Sequence, residues 1–394
     1  MPRSSFSQVR ALGPRHGQPG RPLRARLASL AAGGLVALLV TWIALTTGER
    51  AVAGRPVGGA AAQVAVAPPR SAAADPSTTA VTTTSAAPPQ TTTATSRPLP
   101  PPGTSLGGCP NLPARDIWHA DVSGLPVHAN SAAYVASIGA GRSVKADFGA
   151  GQWDGGPIGI PVTYVAGNQQ RVPVSFYWPH ESDRGPYPIP RDAAVEGGPN
   201  SGGDRHVLVV DTGACRLYEL FDAYPNADGS WRAGSGAVFD LNAHQLRPAG
   251  WTSADAAGLP IAPGLVRYEE VAAGRIDHAI RVTAPRTQDR FVWPARHAAS
   301  PSGDAALPPM GLRLRLKSGV DVAKLPPQAR VVAEAMKIHG VIVADNGSPW
   351  FLSGTPDPRW NDGALRALAA LRGSDFEAVD TAGLMADPSS GRTR

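Results

Sequence analysis

The sequence predicts a mainly β fold, a two-sheet β-sandwich of the jelly-roll kind with a few peripheral helices, for residues 106–394. Trp, Tyr, Phe, Val and Ile recur along this part of the chain, and Gly, Pro, Asn or Asp interrupt them about every 8 to 15 residues. Many short strands joined by turns produce this pattern. Helical periodicity is confined to a few segments, which fit outside a sandwich or at one of its ends. An α+β domain with one curved sheet is the alternative.

A hairpin is the clearest β element in the sequence. The apolar runs 206–210 (HVLVV) and 217–221 (LYELF) flank a turn that contains Gly213. The pair Asn346-Gly347 suits a second tight turn between two further apolar runs. The remaining strand candidates are 161–165, 172–178, 279–283, 291–293, 312–317, 341–344 and 350–352.

Three helices are predicted. Residues 327–339 have a proline in their first turn and apolar residues at helical spacing, and Gly340 ends the pattern. Residues 362–371 carry leucines on one stripe, and 131–138 form a shorter third candidate.

Charge and hydropathy divide the chain into four segments. Residues 27–47 are uncharged and have the length of a transmembrane helix, and six arginines in the tail 1–26 predict that this end stays in the cytoplasm. Residues 48–105 are rich in Ala, Thr and Pro and predict a disordered stalk, because they lack large apolar side chains. Residues 106–394 are then an exported globular domain. The alternative is a signal peptide cleaved after 51–53, which would give a secreted protein.

The positive charge of the chain belongs to its N-terminal part. The formal net charge is +6, but ten arginines in the first 105 residues leave 27 basic and 29 acidic residues for the remainder. A nucleic-acid-binding surface on the folded domain is therefore not expected. Cys109 and Cys215 are the only cysteines, and in an exported domain we expect them to form a bridge that ties the N-terminal strap to the hairpin turn. Two unpaired cysteines are the alternative.

Residues 250–271 are the most unusual segment. Small residues and prolines predict a rigid, ordered loop, and such loops often line functional sites. Asp240 lies between Phe239 and Leu241, two residues typical of a core. A carboxylate buried there either accepts hydrogen bonds from backbone donors or serves as a site acid. His206 and Glu219 lie on the two arms of the predicted hairpin and share a face only in one register. The candidate catalytic residues are Asp240, Asp255, Glu219, Glu270 and His206.

Aromatic and imidazole side chains near turns supply the candidate substrate contacts, which are Trp251, Trp293, His278 and His297. The sequence has no H-E-x-x-H or C-x-x-C motif, so no metal ligands are predicted. The glycines of 197–203 precede a strand and no Lys follows them, which excludes a phosphate-binding loop. Ser253 is not in a G-x-S-x-G motif, so the sequence does not support a serine hydrolase of the nucleophile-elbow type. No cofactor is expected.

Six strings in the sequence resemble a widespread family of secreted or anchored bacterial proteins whose activity is largely unassigned. They are WDGGPIGIP (153–161), ESDRGPYPIP (181–190), GDRHVLVVD (203–211), GWTSADAAGLP (250–260), PGLVRYEEV (263–271) and VADNGSPWFLSGTPDPRWND (343–362). The resemblance covers nearly all of 110–390. Relatives carry modules typical of extracellular polysaccharide-active proteins, which implies work on glycans. His119 stands where related sequences tend to have Asn.

The expected function is that of an extracytoplasmic glycoside hydrolase acting on a cell-wall or environmental polysaccharide. Export, a stalk, and loops that combine tryptophans with carboxylates motivate this hypothesis, and hydrolysis needs two carboxyl groups in different protonation states. A non-catalytic glycan-binding or wall-associated protein is the alternative. A metal-dependent hydrolase that uses His206, His278 and His297 is a third hypothesis.

Overall fold

The computed structural model describes residues 105–394. The strands are β1 Ser105–Leu106, β2 Cys109–Pro110, β3 Lys145–Asp147, β4 Gln152–Trp153, β5 Gly156–Pro157, β6 Val162–Val165, β7 Val174–Phe176, β8 Val207–Asp211, β9 Arg216–Phe221, β10 Tyr224–Pro225, β11 Trp231–Ala233, β12 Ser235–Asp240, β13 Ile280–Ala284, β14 Arg313–Leu316, β15 Val341–Asn346, β16 Phe351–Ser353 and β17 Phe376–Ala378. The α-helices are α1 Ser131–Ile138, α2 Tyr268–Ala272, α3 Pro327–Ile338 and α4 Asp362–Arg366.

The mainly β class is confirmed. The two largest sheets have the strand orders β17-β14-β15-β13-β16-β3 and β12-β9-β8-β6. Both contain parallel pairs, β13 with β15 and β16 with β3 in the first and β6 with β8 in the second. Jelly rolls are built from antiparallel strands. The two-sheet sandwich and its jelly-roll arrangement therefore stay predictions, and the parallel pairs were not predicted from the sequence.

The four-stranded sheet contains the predicted hairpin. β8 and β9 pair antiparallel around residues 212–215, which confirms that prediction. Side chains alternate along the strands, so Leu208 and Leu217 enter the main hydrophobic core, while Val209 and Leu220 join a second cluster with Trp231 on the other face. β8 and β9 are therefore buried on both faces of the sheet, which explains why they are nearly continuous apolar runs.

The tight turn predicted at Asn346-Gly347 does not join two neighbouring strands of the six-stranded sheet. β15 and β16 are not neighbours, because β13 lies between them. The left-handed backbone falls on Trp350, with φ 62°, and not on the Asn-Gly pair. The Trp350 ring is buried and stacks on Phe376, with ring centroids 4.9 Å apart. The left-handed residue of this connection is therefore the one whose ring is packed in the core, which the Asn-Gly pair does not predict.

The predicted helices are present. α3 covers 327–338, α1 covers 131–138, and α4 continues as a 3₁₀ turn to residue 370. The predicted strand at 291–293 is wrong, since only Phe291 makes an isolated bridge, to Met310. Short α2 was not predicted, because five residues are too few for a helical period to show.

Cys109 and Cys215 form a disulfide, as expected. The bridge joins β2 to the turn between β8 and β9, so it fixes the N-terminal strap to the predicted hairpin. Its two cysteines are 106 residues apart in sequence. In the chain-entropy description, closing a loop of that length in the unfolded state contributes about 4–5 kcal/mol to stability.

The predicted tail 1–26, transmembrane helix 27–47 and all but the last residue of the stalk 48–105 lie outside the described residues. Within 105–394, none of the helices has the length and apolar character needed to cross a bilayer.

Candidate functional site

A buried loop connects the two large sheets. We call residues 250–266 the bridging loop. The backbone N–H groups of Ile261 and Ala262 donate to the Glu219 carboxylate on β9 at 2.9 Å, and Ala257 N donates to the carbonyl of Ala344 on β15 at 3.0 Å. Irregular backbone can be buried only when its polar groups are satisfied. The predicted ordered loop is therefore present over 250–266, while its last residues form α2, and the loop holds its own carboxylate, Asp255, between the sheets.

Arg281 on β13 is the cation at the centre of this region. Its Nε donates to Asp255 Oδ2 at 2.9 Å and its Nη1 to Ser353 Oγ at 2.8 Å, while Nη2 lies 3.8 Å from Asp345 Oδ2. The Arg281 and Asp255 side chains are buried, and that of Asp345 is 22% exposed. Among the described residues, the buried Oδ1 of Asp255 has no hydrogen-bond partner.

A β-bulge brings Asp345 to Arg281. Along the parallel pair of β13 and β15, Arg281 lies opposite Ile342, but the register shifts after Val282, so that Thr283 lies opposite Asp345. Alternation along a regular strand would put Asp345 and Ile342 on opposite faces. The extra residue restores Asp345 to the face that carries Arg281 and Thr283.

His206 adds a second cation. Its Nδ1 lies 2.6 Å from Glu196 Oε2, and its Nε2 lies 3.0 Å from the carbonyl oxygen of Ala254 in the bridging loop. Burial alone would lower the pKa of His206, but the Glu196 carboxylate outweighs it and raises that pKa to about 9. Desolvation opposes ionisation of Glu196 as well, yet the imidazolium lowers the pKa of Glu196. The pair is therefore ionic at neutral pH.

His206 and Glu219 share a face of the hairpin. Leu208 lies directly opposite Glu219, and His206 precedes Leu208 by two residues, so all three point to the same side. The sequence left the register of the hairpin open, and the observed register places His206 and Glu219 on the same face. Burial raises the pKa of Glu219 to about 7, although the two loop N–H groups oppose this shift.

Two further carboxyl groups lie where solvent reaches the cluster. Burial, with the nearby carboxylates of Asp255 and Asp204, raises the pKa of Asp345 to about 8. Asp204 is an exposed residue, and desolvation of its carboxyl group raises its pKa too, against the effect of His206. We use the name acid cluster for the residues Glu196, Asp204, His206, Glu219, Asp255, Arg281 and Asp345. It can hold the Asp345 carboxyl protonated while the carboxylate of Glu196 is ionised, which suits acid–base chemistry.

The structure brings together only part of the predicted catalytic set. His206, Glu219 and Asp255 belong to the acid cluster. Asp240 does not, because it lies at the opposite end of β12 from Ser235, whose hydroxyl donates to Ser253 in the bridging loop. Asp240 and Ser235 are five residue steps apart along the strand, a distance of roughly 17 Å. The Asp240 carboxylate instead accepts from Asn242 N at 2.9 Å, within its own turn.

Glu270 and His278 form a second buried group. The Glu270 carboxylate pairs with the Arg267 guanidinium and lies 3.1 Å from His278 Nε2. It also accepts from the Arg267 N–H, which makes it the reciprocal partner of the N-cap of α2. All three side chains are buried, so this group fastens the helix and its carboxylate has no access to a polymer.

The predicted substrate contacts are divided as well. Trp251 is half-buried and its ring faces Arg247, whose guanidinium carbon is 5.5 Å from the ring centroid. His297 Nδ1 lies 2.7 Å from the carbonyl oxygen of Ala256 in the bridging loop. Trp293 donates from Nε1 to Ser390 O, beneath the C-terminal segment. Trp251 therefore belongs to the bridging loop and His297 contacts it, whereas Trp293 contacts the C-terminal segment.

Sequence reasoning missed Arg281, Asp345, Asp204 and Glu196 as site residues. The signal for Arg281 was present, since a charge inside the apolar run of β13 requires a buried partner. Asp204 and Glu196 gave no such signal, although Glu196 forms the ion pair with His206. Among residues 105–394, no three His, Cys, Asp or Glu side chains are grouped so that they could hold a metal ion.

Comparisons of the chain with models of known protein families, with curated proteins and with solved structures find no match. The acid cluster is therefore the main basis for inferring a function.

Proposed function

We propose that this protein is an extracytoplasmic carbohydrate-active enzyme, a glycoside hydrolase that acts on a cell-wall or environmental polysaccharide. The observation that carries the proposal is the acid cluster, in which a partly exposed carboxyl, Asp345, has a pKa of about 8 near the carboxyl of Asp204, which is an exposed residue. Glycoside hydrolysis uses such a pair, one carboxyl as proton donor and the other as base or nucleophile. The resemblance to secreted proteins with polysaccharide-active modules supports the same substrate class.

In this mechanism Asp345 donates its proton to the glycosidic oxygen as the bond to the anomeric carbon breaks. Asp204 in its ionised form either accepts a proton from the water that attacks that carbon, or attacks the carbon itself and is later displaced by water. Arg281 and His206 fix the surrounding carboxylates and balance their charge. Asp255 and Glu219, which the sequence suggested as catalytic, are buried. Their role here is to hold the bridging loop in place, Glu219 through the loop N–H groups and Asp255 through Arg281.

A glycan-binding protein without catalysis is the second candidate. Two large aromatic side chains favour it, because Tyr177 is 78% exposed and Trp153 is 53% exposed. Exposed aromatic rings pack well on the apolar faces of sugars. The convergence of carboxyl groups favours the enzyme, since binding by stacking has no need of a protonated acid.

The proposal is tested by incubating the purified domain, residues 106–394, with a panel of cell-wall and plant polysaccharides and measuring reducing ends. We expect new reducing ends from at least one of them with the parent protein and none with Asp345→Asn. Absence of product from every glycan at every pH between 5 and 8, with the domain folded, would remove the hydrolase proposal.

We also propose that residues 27–47 anchor the protein in the cell membrane, with the tail 1–26 in the cytoplasm and the domain outside. Externally added protease on intact spheroplasts is then expected to cut near 91–102 and release the folded domain. Protection of the domain until the membrane is lysed would indicate the opposite orientation. A domain already free in the medium, with its N-terminus near Gly54, would favour the secreted alternative.

A further inference from the structure

An aromatic pair, exposed Tyr177 and half-buried Trp178, follows β7. Tyr177 is 78% exposed, and its ring meets that of Trp178 edge-on, with centroids 4.9 Å apart and planes at 86°. The pair is held by its backbone, because Tyr177 N donates to Ala233 O and Trp178 N donates to Gly234 O, both at 2.9 Å. The Tyr177 ring is therefore presented to solvent from a fixed position.

A row of rings connects this pair to the acid cluster. Trp178 stacks on Phe221 with centroids 6.3 Å apart, and Phe221 lies 5.8 Å from the ring of His206. Gly234 permits the stack, since a Cβ there would lie 2.8 Å from Trp178 and 2.9 Å from Phe221. The row is thus a packed feature of the fold and not a chance exposure of one side chain.

Asp204 lies beside the same row. Its carbonyl oxygen accepts from Asp222 N at 2.8 Å, and Asp222 directly follows Phe221. The proposed catalytic carboxyl and the inner end of the aromatic row are thus fixed to each other through the backbone. Two rings, those of Trp178 and Phe221, separate Tyr177 from His206. A ligand that covers Tyr177 and also reaches the acid cluster must therefore be longer than one sugar ring.

We propose that Tyr177 and Trp178 form a distal sugar-binding subsite of the acid cluster, which makes the substrate a polysaccharide chain. The inference rests on the proposed function. The apolar face of a pyranose packs on the open ring of Tyr177, while units nearer His206 lie between Asp204 and Asp345. The protein then acts on chains of several units and not on single sugars.

Binding, measured apart from catalysis, tests the subsite. Asp345→Asn and the double variant Asp345→Asn, Tyr177→Ala are run in native gels that contain each polysaccharide of the panel. We expect one polysaccharide to retard Asp345→Asn, and Tyr177→Ala to weaken that retardation about three- to tenfold in apparent Kd. The matched control Asp345→Asn, Tyr177→Phe keeps the ring and is expected to retain the retardation.

Oligosaccharides of increasing length provide the second measurement. They are expected to release Asp345→Asn from the polysaccharide more effectively as they lengthen, and the gain is expected to flatten with Tyr177→Ala. Equal retardation of the Ala and Phe variants, no retardation by any glycan, or release by the monosaccharide as effectively as by longer chains would overturn the subsite. Those results leave the reducing-end assay of the parent protein unaffected, so the two proposals fail separately.

Discussion

Replacing Asp345 by Asn is expected to lower kcat on the cleaved polysaccharide by roughly 10²- to 10⁴-fold, the contribution typical of a general acid. Asn has nearly the same shape but carries no proton to donate. Its Oδ1 can still face Arg281, so the fold is expected to remain intact. The measurement is the initial rate of reducing-end formation at saturating substrate.

The pH profile gives the same prediction an independent test. Because the proton of Asp345 is needed and its pKa is about 8, activity of the parent protein is expected to fall as the pH rises through about 8. Stability follows a related course: the folded state keeps this proton up to a higher pH than the unfolded chain, whose Asp has the ordinary value of 3.8. The free energy of unfolding therefore falls between about pH 4 and 8, and it is expected to fall less steeply in Asp345→Asn.

Asp240→Asn is the matched control for this pair of measurements. Its carboxylate lies outside the acid cluster, and Asn keeps an oxygen that can accept from Asn242 N. Its rate and pH profile are expected to equal those of the parent. Full activity of Asp345→Asn would show that another group supplies the proton. The same conclusion would follow if the activity that remains in Asp345→Asn declined above pH 8 as that of the parent does.

Local sequence signals predicted the elements that depend on neighbours in the chain. The β8–β9 hairpin is specified by two apolar runs around a glycine-containing turn and helix α3 by apolar periodicity and a stop residue, and the structure agrees. Small residues and prolines indicated an ordered loop at 250–271, of which 250–266 is loop, while α2 takes up Tyr268–Ala272. Asp255 was a candidate because it lies in this loop, and ordered loops of small residues and prolines often line functional sites.

The site itself depended on pairings that periodicity does not encode. Arg281 and Asp345 lie on β13 and β15, which become neighbours only after the chain has passed through β14 and α3. A one-residue bulge then decides on which face Asp345 lies, and a regular alternation would have assigned the wrong one. Asp240 was overvalued for the opposite reason: it ends its strand, where its own turn supplies a donor.

Replacing Arg281 by Met is expected to cause the largest loss of stability, about 3–5 kcal/mol in the free energy of unfolding. The guanidinium is buried and is the only cation that contacts Asp255 among the described residues. Without it the Asp255 carboxylate, whose Oδ1 already has no partner, stays buried with its charge uncompensated. Urea unfolding of the domain, followed by tryptophan fluorescence, gives the measurement.

Two further variants separate the loss of a buried charge pair from the loss of packing. Arg275→Met breaks a surface pair with Asp277, in which the arginine side chain is 66% exposed, and is expected to cost at most about 1 kcal/mol. Adding Asp255→Asn to Arg281→Met removes the unpaired charge and is expected to recover part of the stability, because a neutral amide is cheaper to bury than a carboxylate. If Arg281→Met and Arg275→Met cost the same, or if Asp255→Asn deepens the loss, the ion pair between the sheets does not hold the bridging loop in place.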